Sequence, residues 1–209
     1  MRYVTTPHTG PGDAAPQPLP AAPGADQHPA LALVNTRTLR PTGAFDDLAD
    51  PPAALDWLVT TGLLPARRSG LTAAETGRLR TLRECVRDLF TARLAGEAPD
   101  RTALAELNGA LAAAPFTGRL HWDAAGEGPR LESRPAGGTP LDAALTRLAS
   151  DAAELLSGPQ AEAIAACAAG DCIRYFLRTH GARQWCSQRC GDRVRAARHY
   201  ARTRAAENS

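Results

Sequence analysis

Four of the chain's five cysteines fall within 24 residues near the C-terminal end. Four residues separate Cys167 from Cys172, three separate Cys186 from Cys190, and thirteen lie between the pairs. Zinc takes four soft ligands at the corners of a tetrahedron, and two close pairs joined by a longer loop supply them with little chain strain. Four thiolates close the coordination shell, so the expected zinc is structural rather than catalytic. Unrelated or redox-active thiols are the competing reading. His180, between the pairs, is an alternative ligand but reads better as an exposed loop residue. Cys85 follows the apolar pattern of its own segment and reads as a small core residue.

The flanking sequence predicts how the pairs are held. The segments IRYF and RQW, on either side of Thr179-His180-Gly181-Ala182, are expected to form a short hairpin. Ser187 is placed to cap a helix running through about Thr203. The first pair then sits on a knuckle and the second at a helix N-terminus, whose partial positive charge favours thiolates. This is a treble-clef-like layout. A unit of this size depends on its metal, worth about 10–16 kcal/mol in small peptides. Cys→Ser at any of the four positions is accordingly expected to unfold the tail and leave the rest folded.

Charge is divided unevenly along the chain. All 24 basic residues are arginine, and nine of them lie between Cys167 and Ser209 against three acids, a formal +6; the preceding residues carry 15 arginines against 19 acids. Such asymmetry points to an anionic partner for the C-terminal part. Four thiolates on one zinc subtract two charges, so the arrangement of the arginines matters more than their total. On a helical wheel Cys190, Val194, Ala197 and Ala201 share a face expected to pack inward. Arg195, Arg198 and Arg202 form a stripe on one flank, with Arg193, Tyr200 and Arg204 on the other. Arg193, Arg195, Arg198 and Arg202 are the candidate nucleic-acid contacts, to phosphates or guanine edges. The alternative is a solvated arginine face in a chain of arginine-biased composition.

The rest of the chain reads as mainly helical with one small β-hairpin, an α+β class. Residues 1–28 carry six prolines and few large apolar groups and are expected to be a disordered leader. A mostly helical domain is expected over 29–160 and the finger over 161–209. In PALALVNTRTL, Leu31, Val34 and Thr38 could share a helical face, although alternation also permits a strand. Asp50-Pro51 opens a helix with Leu55, Leu58 and Val59. Thr72 and Glu75 form a capping box before Leu79, Leu82, Val86, Leu89 and Phe90, closed by Gly96. Asp100 caps a helix with Leu104, Leu107 and Leu111. RLHWDAAGEGPRLESR predicts a hairpin with strands of about four residues. Thr139-Pro140 opens a last helix carrying Leu141, Leu145, Leu148, Leu155 and Leu156, closed by Gly158-Pro159.

No stretch of about eighteen apolar residues or secretory pattern occurs, so no membrane association and a cytoplasmic location are expected, with thiols kept reduced. The body has no glycine-rich phosphate loop, nucleophile elbow or helical metal-binding pair, so no enzymatic activity is expected.

The finger residues resemble the CGNR zinc-finger family: Cys167, Cys172, Phe176, the run Trp185-Cys186-Ser187, and Cys190-Gly191-Asp192-Arg193. LALVNTR, Asp46-Asp47-Leu48, LDWL at 55–58 and GLL at 62–64 resemble the ABATE domain. The two resemblances together cover roughly residues 29–205. They imply a DNA-binding transcription regulator whose ABATE domain senses a small molecule or mediates assembly. A single finger offers few base contacts, so a homodimer or an additional contact is expected if recognition is specific. A zinc-stabilised protein-interaction or RNA-binding module is the alternative. Asn35, Thr36, Arg37 and Trp57 fall at motif positions, and Asn35, Arg37 and Trp57 are the candidate ligand contacts; the competing roles are a core Trp57 and a turn or cap Asn35. Asp192 departs from the family asparagine. If it faces phosphate, binding weakens; if it caps the turn or pairs with an arginine, little changes.

Overall fold

Proline and capping residues start the helices where the sequence places them. The computed structural model describes residues 19–40, 43–123 and 128–207. Helix α1 (Pro29–Val34) is followed by the antiparallel strands β1 (Arg37–Arg40) and β2 (Gly43–Asp46), then by α2 (Pro51–Thr60), α3 (Ala73–Ala95) and α4 (Arg101–Ala113). The hairpin β3 (Phe116–Asp123) and β4 (Gly128–Pro135) precedes α5 (Pro140–Ser157). A 3-10 turn leads into β5 (Ile164–Ala166), β6 (Tyr175–Leu177) and the final helix α6 (Gln188–Glu207). Asp50 caps α2 by accepting from Ala53 N at 2.9 Å, and reciprocal capping boxes at Thr72/Glu75 and Thr139/Asp142 open α3 and α5. Gly96 ends α3 at φ 69°, a left-handed position that costs glycine no Cβ clash.

The body core lies between α1, α3, α4 and α5. Leu31, Val34, Leu58, Leu79, Val86, Phe90, Leu141, Leu148 and Leu155 are buried. At about 1.5–3 kcal/mol for each large side chain, this stripe accounts for most of what holds the helices together. α1 is short, and the buried amide in its first turn is satisfied from α5: Asp151 accepts from Ala30 N at 2.8 Å and from His28 Nδ1 at 2.7 Å.

Three expectations require correction. Thr38 does not continue the first helix but lies buried on β1, because the chain turns at Asn35-Thr36, where Thr36 Oγ1 bonds back to Leu33 O at 2.7 Å. Leu104 is exposed; α4 buries Leu107 and partly buries Leu111, as expected, and Ala103 takes the place of Leu104. Of the expected leader, residues 1–18 lie outside the described residues, but 19–28 pack on the finger and, through His28, on α5. Leu177 N donates to Pro23 O at 2.9 Å, and Ala22 is buried in the finger cluster. Gly24 (φ 87°) lies against Leu177 so closely that a Cβ there would meet its side chain at 2.8 Å. Backbone pairing to a strand edge offsets the ordering entropy that composition alone could not.

The predicted hairpin forms, with strands of eight residues rather than four, and projects from the body. Leu120, Trp122 and Leu131 are exposed. Among the described residues no helix is long and apolar enough to cross a membrane.

Candidate metal centre and basic helix

The small sheet β5–β6 is a wall between two clusters. Strand alternation sends Ile164, Tyr175 and Leu177 into the body core, and Ala165 and Phe176 into a second cluster with Cys167, Cys186, Cys190 and Ala22. The register pairs Ile164 with Leu177 and Ala166 with Tyr175. IRYF therefore pairs with the upstream residues 164–166 and not with RQW, which corrects the expected hairpin. Cys167 and Cys172 then fall in the turn of β5–β6 as a knuckle, with Cys172 N bonded to Ala169 O at 2.9 Å. The RQW segment closes over it through Ala168 N to Gln184 O at 2.9 Å. Upstream pairing wins because Ile164 and Leu177 together extend the body core.

The second pair sits where α6 begins. Ser187 Oγ accepts from Cys190 N at 3.3 Å, an N-cap that places Cys190 in the first turn and Cys186 just before it. Gly191 packs under Trp185 and Arg195, whose guanidinium lies 5.5 Å over the indole ring; a Cβ at this position would come within 3.0 Å of that ring.

The four sulfurs converge, all within 4.8 Å of one another, and Cys167, Cys186 and Cys190 are buried. Cys172 Sγ and Cys190 Sγ each lie 3.7 Å from Cys186 Sγ. A tetrahedron with zinc–sulfur arms of about 2.3 Å has edges of about 3.8 Å, so the donor set fits the ion. As free thiols the group is in conflict. Hydrogen bonds from Cys172 and Cys186 draw the Cys167 thiol far below its ordinary range, while the bonds they share with Cys167, together with burial, push Cys172 and Cys186 up. A divalent cation replaces the shared protons. The centre is a structural zinc site of four cysteines, and His180 is exposed on the intervening loop.

The candidate nucleic-acid contacts divide. Arg193 turns back to the centre, with Nη2 3.7 Å from Cys190 Sγ and 2.7 Å from Asp171 Oδ1. Arg195 is paired with Asp192 at 2.5 Å, so the residue standing for the family asparagine binds a neighbouring arginine. Arg198 and Arg202 are exposed and have no ion-pair partner among the described residues. Val194 packs against the finger cluster, but Ala197 and Ala201 are exposed, contrary to the inward face expected of them. Among the described residues no body element reaches that far along α6, and residues 197–206 are exposed.

Asn35, Arg37 and Trp57 do not converge. Asn35 is buried, and its amide is spent on the Tyr175 backbone. Arg37 faces solvent 3.7 Å from Glu84, and Trp57 packs partly buried against the body core. Two surface grooves, of about 480 and 420 Å³, are lined by neither Asn35, Arg37 nor Trp57.

Three buried or partly buried arginines escaped sequence reasoning. Arg83 makes a two-pronged pair with Asp46, at 2.5 and 2.9 Å, and reaches Thr36 Oγ1 at 3.1 Å. Burial raises the Asp46 carboxyl, but Arg83, the Leu48 amide and Arg80 together more than offset it, and the net shift is downward. Arg87 donates to Val34 O and Ile173 O at 2.7 and 3.0 Å and lies over the Tyr175 ring. Arg174 reaches Cys186. The signal for Arg83 was its place four residues after Leu79 on an apolar face; that for Arg174 was its parity with Phe176.

Residues 27–159 match the family model ABATE, described as "Putative stress-induced transcription regulator", and residues 164–203 match the model described as "CGNR zinc finger". No curated protein matches the chain.

Proposed function

The chain belongs to the ABATE family and ends in a CGNR zinc finger, and on that premise we propose that it is a transcription regulator that binds duplex DNA through α6. The observation that carries this reading is the free length of α6, where Arg198 and Arg202 are exposed and, among the described residues, unpaired beyond the four-cysteine base. Beyond Val194 the helix offers only alanines and Tyr200 as apolar groups, so it gains little by packing on the body. It fits a major groove about 12 Å wide, where arginine meets phosphates and guanine edges. Arg195 reaches DNA only by leaving Asp192, and Arg193 is held by the finger, so Arg198 and Arg202 are the principal contacts. The zinc supplies no reaction; it fixes the direction in which the helix leaves the body.

Mobility-shift titration tests the reading, with wild type and Arg198→Ala/Arg202→Ala at two salt concentrations. The double variant is expected to lose affinity and to flatten the salt dependence by about two phosphate contacts. Unchanged duplex binding in the double variant overturns the assignment to α6. Tighter binding to a structured RNA or an acidic protein than to any duplex favours the interaction-module reading.

For the body we propose assembly into a homodimer rather than ligand sensing. Leu120 and Leu131 are cross-strand partners, Trp122 lies on the same face, and all three are exposed on a two-stranded ribbon. Such a ribbon is marginal alone in water and is stabilised by a covered apolar face. A single finger makes few base contacts, and a second copy doubles them.

A further inference from the structure

Arg174 is 5% exposed, yet it has no carboxylate partner among the described residues. A guanidinium is not readily neutralised, and a buried charge without a counter-charge is strongly destabilising. Its surroundings identify the counter-charge. Nη1 lies 3.8 Å from Cys186 Sγ, Nη2 donates to Pro20 O at 2.8 Å, and Nε is buried without a hydrogen-bond partner. On the outer side, Arg193 Nη2 lies 3.7 Å from Cys190 Sγ. A zinc ion with four thiolates carries two net negative charges, and two guanidinium groups touch its sulfurs.

We propose that Arg174 and Arg193 are the counter-cations of the metal centre, and that Arg174, held in place by the N-terminal arm at Pro20, is a positioning residue that sets how firmly the metal is retained. By bonding to sulfur, each arginine stabilises the thiolate form that zinc requires and lowers the cost of burying its excess negative charge. The carbonyl of Pro20 fixes the guanidinium plane, so the ordered arm belongs to the metal site although it supplies no ligand. The two arginines differ in weight. Arg174 is buried, where charge is poorly screened, whereas Arg193 is partly exposed and shares its charge with Asp171.

The test uses the full-length zinc-loaded protein and reads metal transfer to a coloured competing chelator, together with the thiolate-to-metal absorption of the cobalt-loaded form. Arg174→Met is expected to weaken metal retention by about 10–100-fold, the range for partners that orient metal ligands. Arg174→Lys, which keeps the charge but not the fork, is expected to lie between Met and wild type. Both variants and Arg193→Gln are expected to move the cobalt charge-transfer band to longer wavelength, because a thiolate that loses a hydrogen bond is easier to oxidise; a purely structural role would not move it. Wild-type retention in Arg174→Met, or a lysine variant as leaky as the methionine one, overturns the proposal. If Arg174→Met does not fold, Arg193→Gln decides: an unmoved band overturns the proposal and a shifted band supports it.

Discussion

The side-chain amide of Asn35 pairs with the backbone of Tyr175 as a strand would, accepting from Tyr175 N at 2.9 Å and donating to Tyr175 O at 2.8 Å. Tyr175 in turn packs edge-on against Phe90, with ring centroids 5.6 Å apart, and its hydroxyl lies 2.7 Å from Thr91 Oγ1. One buried asparagine thus joins the first helix of the body to the strand that leaves the metal knuckle.

Asn35→Ala leaves the Tyr175 N–H and C=O unpaired in a buried setting. At about 1–3 kcal/mol for each unsatisfied group, partly offset by relaxation, we expect a loss of about 2–4 kcal/mol in denaturant unfolding. Asn35→Asp keeps the acceptor, loses the donor to Tyr175 O and buries a charge, so it is expected to be at least as damaging.

Metal removal is expected to reach beyond the finger. The spacing of the cysteines suggested a tail that unfolds alone, but Ile164, Tyr175 and Leu177 belong to the body core. Hydrogen exchange with and without chelator is expected to show lost protection at 167–190 and reduced protection in α3 near Phe90. Exchange in α3 that is indifferent to zinc would show that the wall does not couple the two parts.

Asp192→Asn releases Arg195 from its partner and removes one negative charge from the base of α6. If α6 meets phosphates, duplex affinity is expected to rise, by up to roughly tenfold at low salt and less at higher salt. Weaker binding in this variant would place Asp192 in the contact itself.

Acid stability carries a signature at the start of α5. Thr139 N, Arg78 and the Thr139 hydroxyl all donate to Asp142 and hold its carboxyl at about 2, against an ordinary 3.8. The folded value lies below the unfolded one, so this stabilisation is complete above about pH 4 and disappears as pH falls from 4 towards 2. Water screens the Arg78 partner, which reduces the contribution to about 1 kcal/mol, the scale of a helix cap. Asp142→Asn is expected to lower stability at pH 6 and to narrow its difference from wild type at pH 3, as measured by urea unfolding.

Trp122→Ser tests the assembly reading of the hairpin. Sedimentation of the wild type is expected to show a dimer and that of the variant a monomer with an unchanged helical signal. A wild-type monomer at high concentration would reject this interface.

The parts of this protein whose physics is local are legible in the chain. Helix starts follow from Asp50, Thr72, Asp100 and Thr139, because a cap needs only a side chain three residues from an unpaired amide. The zinc ligands follow from spacing, because a knuckle and a helix N-terminus each bring two sulfurs together over four or five positions. Tertiary packing set the partner of IRYF and the use of each arginine. IRYF pairs upstream because Ile164 and Leu177 are claimed by a core that includes residues of α1 and α3, remote in the chain. The arm at 19–28 is ordered by a strand edge and a buried guanidinium that its own composition does not announce. Arg193, Arg195, Arg198 and Arg202 look alike on a helical wheel, yet two are held by the finger and an aspartate and two are free. A wheel records angle, whereas burial and counter-charge depend on what the rest of the chain brings alongside.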